Sequence, residues 1–171
     1  GASQSEAFSE SFRQVDAAES MGIDSVWLAE HHFSPDRSVL ASPLVVAGSI
    51  ATRTQRLRIG LAVQVLPLAS PLRIAEEAST VDQISQGRLD FGVGRSGLTK
   101  YYQGYNVPYE ESRSRFMEAL DIITTAWTKD TFSYHGEYYS YTDVTLVPQS
   151  YQSPHPPVFV ALASADTFPL V

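Results

Sequence analysis

The chain has 171 residues, 43% of them hydrophobic and 18% charged, the balance of a globular protein with material for one sizeable core. Its net charge of −7 is spread along the chain, and no apolar stretch approaches the roughly 18 residues that span a bilayer, so neither nucleic acid nor a membrane is expected as a partner. The absence of cysteine rules out disulfides, thiolate metal sites and cysteine nucleophiles.

Read in chain order, Phe8, Phe12, Val15, Ala18 and Met21 recur at three- and four-residue steps before Gly22, which predicts an opening amphipathic helix. Residues 1–6 carry neither a basic start nor an apolar run, so no secretory signal is expected and the cytoplasm is the expected compartment. Residues 24–29 read as a buried strand that delivers Glu30, His31 and His32 to its C-terminal end, ahead of a loop with Pro35, Asp36 and Arg37. Ser42 and Pro43 read as N-cap and first residue of a helix reaching Thr54, and residues 57–66 form a second, nearly continuous apolar strand. Ser70 and Pro71 repeat the cap signal, and Leu72, Ala75, Ala78, Val81 and Ile84 mark a helix that stops at Gly87.

Residues 89–93 are the third predicted strand, followed by a polar, tyrosine-containing loop over 94–109 and a helix with Phe116, Leu120, Ile123 and Trp127 on one face. Between 132 and 147 the pattern changes to alternation around His135-Gly136, which predicts an inserted hairpin. An extended connection with four prolines, residues 148–157, leads to the fourth strand over 158–162, and residues 164–166 open a further helix.

Four apolar strands joined by helical crossovers predict an α/β fold with a parallel sheet. Periodicity alone leaves two architectures open, a doubly wound open sheet or about half of a β/α barrel. In both, chemistry sits at the C-terminal ends of the strands, which makes Glu30 and His31 the first candidates. Imidazole titrates near neutrality and suits acid–base work, whereas a loop histidine bonded to backbone is the structural alternative. Neighbouring His31 and His32 point to opposite sides and no histidine follows at i+4, so no metal is expected. Gly92-Val93-Gly94-Arg95 after the third strand is a Gly-rich turn from which a guanidinium fork can reach phosphate oxygens.

Three segments are long and collinear: Ala29-Glu30-His31-His32-Phe33 after its strand, Leu66-Pro67-Leu68 running into Pro71-Leu72-Arg73-Ile74-Ala75-Glu76-Glu77, and the stretch from Asp82 through Gln86-Gly87-Arg88 to Arg95. Through them the chain resembles the bacterial luciferase-like, flavin-dependent monooxygenase family, from Ser5 to its last residues. The resemblance implies a TIM-type (β/α)8 barrel that takes reduced FMN from a separate flavin reductase and uses dioxygen to oxidise a small organic substrate, aldehyde-like or similar. The strands would be the second to the fifth of eight, making residues 1–171 a single partial barrel domain, truncated at both ends. A homo-oligomer is expected, because half a barrel exposes two strand edges and its inner face.

By the same resemblance His31 matches the family's catalytic histidine and Glu30 an acidic residue of its active site. Arg95, together with Ser164 and Thr167 after the fourth strand, would hold the FMN phosphate, and Ala62-Val63 matches a non-prolyl cis peptide beneath the flavin ring. Luciferase carries an acid just before that serine where this chain has Ala163. Tyr101 and Tyr102, in the loop after Arg95, could line the substrate cavity, but aromatic loop residues more often simply pack, which is the expectation for both. The competing expectations are a non-catalytic flavin-binding or structural half-barrel fragment, and a deazaflavin-dependent oxidoreductase of the same superfamily.

Overall fold

In the computed structural model, which describes residues 3–162, Ser3 and Glu6 open helix α1 (Gln4–Ser20) through a reciprocal capping box. Strand β1 (Ser25–Leu28) follows, then α2 (Pro43–Arg53). Helix α2 begins where expected, but the Ser42 hydroxyl makes no capping bond, so the preset φ of Pro43 is the start signal there.

The single strand expected over residues 57–66 is divided. Strands β2 (Arg58–Leu61) and β3 (Gln64–Val65) are separated at Ala62–Val63, whose peptide is cis, and Leu66–Leu68 winds into a 3-10 turn. Leu66 is as apolar as the strand residues before it, which is why hydrophobicity alone carried the strand one residue past the end of β3. In α3 (Pro71–Ser85) the Ser70 hydroxyl accepts from the Arg73 amide at 3.5 Å, and the helix ends at Gln86 in the left-handed region.

Strand β4 (Leu89–Gly94) comes next. The region expected as loop, 94–109, contains a helix, α4 (Thr99–Tyr105), and Tyr109–Glu111 forms a 3-10 turn before α5 (Ser112–Thr128). Helix α4 is too short for its period to register in a window of a dozen residues, and it stops at Asn106 with φ 55°. The predicted hairpin is present as antiparallel β5 (Phe132–His135) and β6 (Ser140–Val144), off the main sheet. Its turn is held by Glu118 on α5, whose carboxylate accepts from the Tyr138 and Tyr139 amides, the latter at 2.9 Å. The proline-rich connection is tied to α3, because Asp82 accepts from both the backbone and the side chain of Gln152. Strand β7 (Val158–Val160) ends the described chain.

The main sheet is parallel throughout. Strand β1 pairs with β2, β4 pairs with β2 through Leu89 and Asp90 and with β3 through Val93 and Gly94, and β7 pairs with the opposite side of β4. Alternation along the strands gives the sheet two faces. On one, Ile59, Leu61, Leu89, Phe91 and Val93 are fully buried in a single core with Ile50, Ala75, Ala78, Ala119 and Ile123 of the helices. Trp127 of α5 meets Phe91 edge-on at 4.9 Å, and its indole N–H donates to the Ala75 carbonyl at 3.2 Å.

The other face carries Trp27, Gly60, Asp90, Gly92 and Phe159. A Cβ at Gly60 would fall 2.3 Å from the Trp27 ring, and one at Gly92 would fall 1.7 Å from the Leu61 carbonyl oxygen, so both glycines are required by close approach. Trp27 meets Phe159 edge-on at 5.3 Å, and the two remain 44% and 47% exposed. No helix among the described residues is long and apolar enough to cross a membrane.

Candidate active site

The C-terminal end of β1 delivers Glu30, which is 8% exposed and fully engaged. One carboxylate oxygen accepts from the Gln64 side-chain amide at 2.7 Å and from the Val65 amide at 2.9 Å, and the other accepts from Nε2 of His32 at 2.7 Å. Glu30 thus ties the end of β1 to β3, across the break in the neighbouring strand. Burial pushes its carboxyl above the usual glutamate range, and the bonds from Val65, His32 and Gln64 work against that rise.

The sign of the resulting pH dependence follows. A carboxyl with a raised folded pKa binds more protons folded than unfolded, so its contribution to stability is full below 4.5 and lost as pH rises through the folded value. Glu30→Gln removes this term. Denaturation midpoints measured from pH 4 to 8 should therefore show the variant's disadvantage narrowing as pH rises, and a constant gap would contradict the raised carboxyl.

Helix α4 packs over the two histidines with tyrosines four residues apart, one for each ring. The Tyr101 hydroxyl lies 2.8 Å from Nδ1 of His31, and the Tyr105 hydroxyl lies 3.2 Å from Nδ1 of His32. Phe33, at φ 52°, turns the chain against α4, where a Cβ at Gly104 would fall 2.1 Å from its ring. Lys100 adds a second tie, donating to the Ser34 hydroxyl at 3.0 Å. Burial, then the charges of Arg37 and His32, hold the His31 imidazole below its ordinary pKa.

Beyond β4, Arg95 donates to the Ser112 hydroxyl at 3.1 Å, and its carbonyl accepts from the Tyr102 hydroxyl. Burial pushes the Tyr102 phenol up to about 12, so it remains a donor across the physiological range. Val63, Gly94, Arg95, Ser96, Arg113 and Ala161 are among the residues lining a cavity of about 230 Å3. A Cβ at Gly94 would fall 2.8 Å from Val63 Cγ2, so the floor of this cavity has no room for a side chain there.

The expected residues are distributed as follows. Val63 and Arg95 line one cavity, with Arg113 of α5 beside them. His31 lines a different cavity, of about 550 Å3, with Trp27, Arg37 and Leu40, while Glu30 and His32 border a third, of about 240 Å3, with Gln64 and Tyr105. Ala62 lies at the cis peptide itself. Ser164 and Thr167, with Ala163, lie outside the described residues.

Tyr101 does more than pack, because it bonds His31 directly, and Tyr102 orients the Arg95 loop. Sequence reasoning also passed over Gln64, Tyr105, Ser112 and Arg113. Two signals were available. Gln64 is a polar residue inside an apolar strand run, and Tyr101 and Tyr105 stand four apart just before Asn106, a residue that commonly ends helices.

The luciferase-like monooxygenase profile matches residues 1–170. Among curated relatives, the alkanal monooxygenase alpha chain of the Kryptophanaron alfredi symbiont is 34% identical over 88% of this chain and 42% of its own length. The oxygenase component of the flavin-dependent trigonelline monooxygenase of Acinetobacter baylyi is 30% identical over 92% of this chain and 44% of its own. Among solved structures, monooxygenase RslO1 from Streptomyces bottropensis superposes with a TM-score of 0.91 at 31% identity, covering 94% of this chain and 49% of that one.

Two structures of lower identity share the fold. One is the oxygenating constituent of 3,6-diketocamphane monooxygenase of Pseudomonas putida in complex with FMN, with a TM-score of 0.85 at 20% identity over 94% of this chain and 47% of that one. The other is an F420-dependent secondary alcohol dehydrogenase, with a TM-score of 0.78 at 19% identity over 90% and 48%. The chain spans less than half the length of these curated relatives, and its parallel sheet and helices correspond to about half of the TIM-type barrel of the structures it matches. With that profile matched along nearly all of its length, the chain belongs to the luciferase-like monooxygenase family.

Proposed function

We propose that this chain supplies the cofactor-facing half of an FMN-dependent monooxygenase that oxidises a small organic substrate with dioxygen, the reduced flavin coming from a separate reductase. The observation that carries this reading is the cavity at the C-terminal end of β4, where Arg95 and Arg113 stand at a floor made of Val63, Gly94 and Ala161. These residues fit FMN. Two guanidinium groups suit a phosphate dianion, and Val63 packed against Gly94 and Ala161 offers an apolar surface on which a flat ring could lie.

Reduced FMN, when bound, supplies the electrons that activate dioxygen. The chain's own residues do the rest. Arg95 and Arg113 would hold the phosphate, joined by Ser164 and Thr167, and Ala62–Val63 would lie beneath the ring. His31 would hold or move a proton at Nε2, the ring nitrogen opposite its bond to Tyr101. Glu30 touches neither substrate nor cofactor in this scheme; it positions the turn by holding His32, Gln64 and the Val65 amide.

Titration of the protein with FMN, followed by flavin fluorescence, tests the cavity. Arg95→Ala should weaken binding by roughly 10- to 100-fold, the worth of a charge-assisted hydrogen bond. Incubation with reduced FMN, dioxygen and an aldehyde then tests the reaction. FMN binding without oxygen-dependent product would point to the non-catalytic flavin-binding reading, and tighter binding of a deazaflavin than of FMN to the deazaflavin-dependent oxidoreductase.

A further inference from the structure

The sequence treats Tyr101 as packing, and the family assignment gives it no task, yet it is 1% exposed with its hydroxyl 2.8 Å from Nδ1 of His31. A buried hydroxyl hydrogen left without an acceptor is costly. Among the described residues His31 is the hydrogen-bond partner of that hydroxyl, so the arrangement that satisfies it has Tyr101 donating and Nδ1 accepting. The neighbouring ring shows the same pattern by an independent route. The Glu30 carboxylate accepts, so Nε2 of His32 carries a proton, and Nδ1 of His32 is left to face the Tyr105 hydroxyl.

We propose that Tyr101 is a positioning residue that fixes His31 as its Nε2–H tautomer, so that the neutral imidazole presents a hydrogen-bond donor, not a lone pair, at its free nitrogen. An Nε2–H donor suits stabilising negative charge on an oxygen, and it sets which partner His31 can take first. Protonating His31 at Nδ1 requires the Tyr101 hydroxyl to turn from donor to acceptor, so the bond also favours the neutral ring. The lowered imidazole pKa agrees in direction. Among the described residues, the groups acting electrostatically on His31 are Arg37 of its own loop and, when doubly protonated, His32, which is paired with Glu30. The significance for catalysis rests on the reading of His31 as the acid–base group; the tautomer itself does not.

Long-range nitrogen–proton NMR of histidine-labelled protein tests this without any cofactor. The His31 signals are assigned by their loss in His31→Gln. The expected result is the Nε2–H pattern for His31 in the parent, a mixture of tautomers in Tyr101→Phe, and a titration midpoint about one pH unit higher in that variant, a tenfold change in proton affinity. The His32 signals are the internal control, since Glu30 holds that ring and should keep it unchanged while the fold is intact. An Nδ1–H pattern for His31 in the parent overturns the proposal even if the variant does not fold. So does an unchanged tautomer and midpoint in a folded Tyr101→Phe. Failure of FMN to bind would leave this result standing and count only against the proposed function.

Discussion

Replacing His31 by Ala should lower oxygen-dependent product formation by roughly a hundred- to ten-thousand-fold while leaving FMN affinity unchanged, the range expected when a positioned acid–base group is removed. The expectation comes from placement. His31 sits at the C-terminal end of β1, with its backbone amide bonded to the Leu40 carbonyl at 2.9 Å and its ring held at one nitrogen by Tyr101, so that the other nitrogen is left to act. Arg95 lies at the far side of β2 and β3 on the loop after β4, so in the proposed scheme binding and proton handling would fall to different strands. Flavin titration and product assay on the same preparation separate the two. Equal losses in both would assign His31 to binding and remove its acid–base role.

Gly92→Ala should be the most damaging glycine-to-alanine change among the described residues, costing more than about 4 kcal/mol and leaving little folded protein. The added Cβ would stand 1.7 Å from the Leu61 carbonyl oxygen and 2.9 Å from its carbon, and this obstacle is backbone, which cannot swing aside like a side chain. Moving it means separating β4 from β2, whose pairing runs through Ile59 with Leu89 and Gly60 with Asp90. Leu61 itself is fully buried under the helices. Gly97→Ala is the matched control, because a Cβ there meets nothing within 4 Å, and its effect should stay within about 0.5 kcal/mol. Urea midpoints of the two variants decide the matter, and a Gly92→Ala protein as stable as the parent would show that the strands can spread.

The order of helices and strands was legible because its signals are local. Pro43 and Pro71 open helices, Gly87 follows the end of one, and apolar runs mark the strands. The break at Ala62–Val63 was not legible from pattern, since both residues are apolar and the isomer of a peptide bond leaves no trace in hydrophobicity; only the resemblance pointed there. Helix α4 was missed for its brevity. At the site, Glu30 and His31 could be found from their position after a strand. Two of the three partners that hold Glu30 lie 34 and 35 residues further on, at Gln64 and Val65, and a contact of that separation depends on the tertiary fold rather than on any motif. Ser42 illustrates the reverse, a local signal whose hydroxyl goes unused because Pro43 suffices.

Trp27 lying across Gly60 joins two positions that the sequence keeps 33 residues apart, because the ring of one occupies the space in which the other would have grown a side chain. A side chain at 60 demands a smaller residue at 27. Across relatives, that demand would leave a pairwise signature at these two sites even where neither is constant on its own.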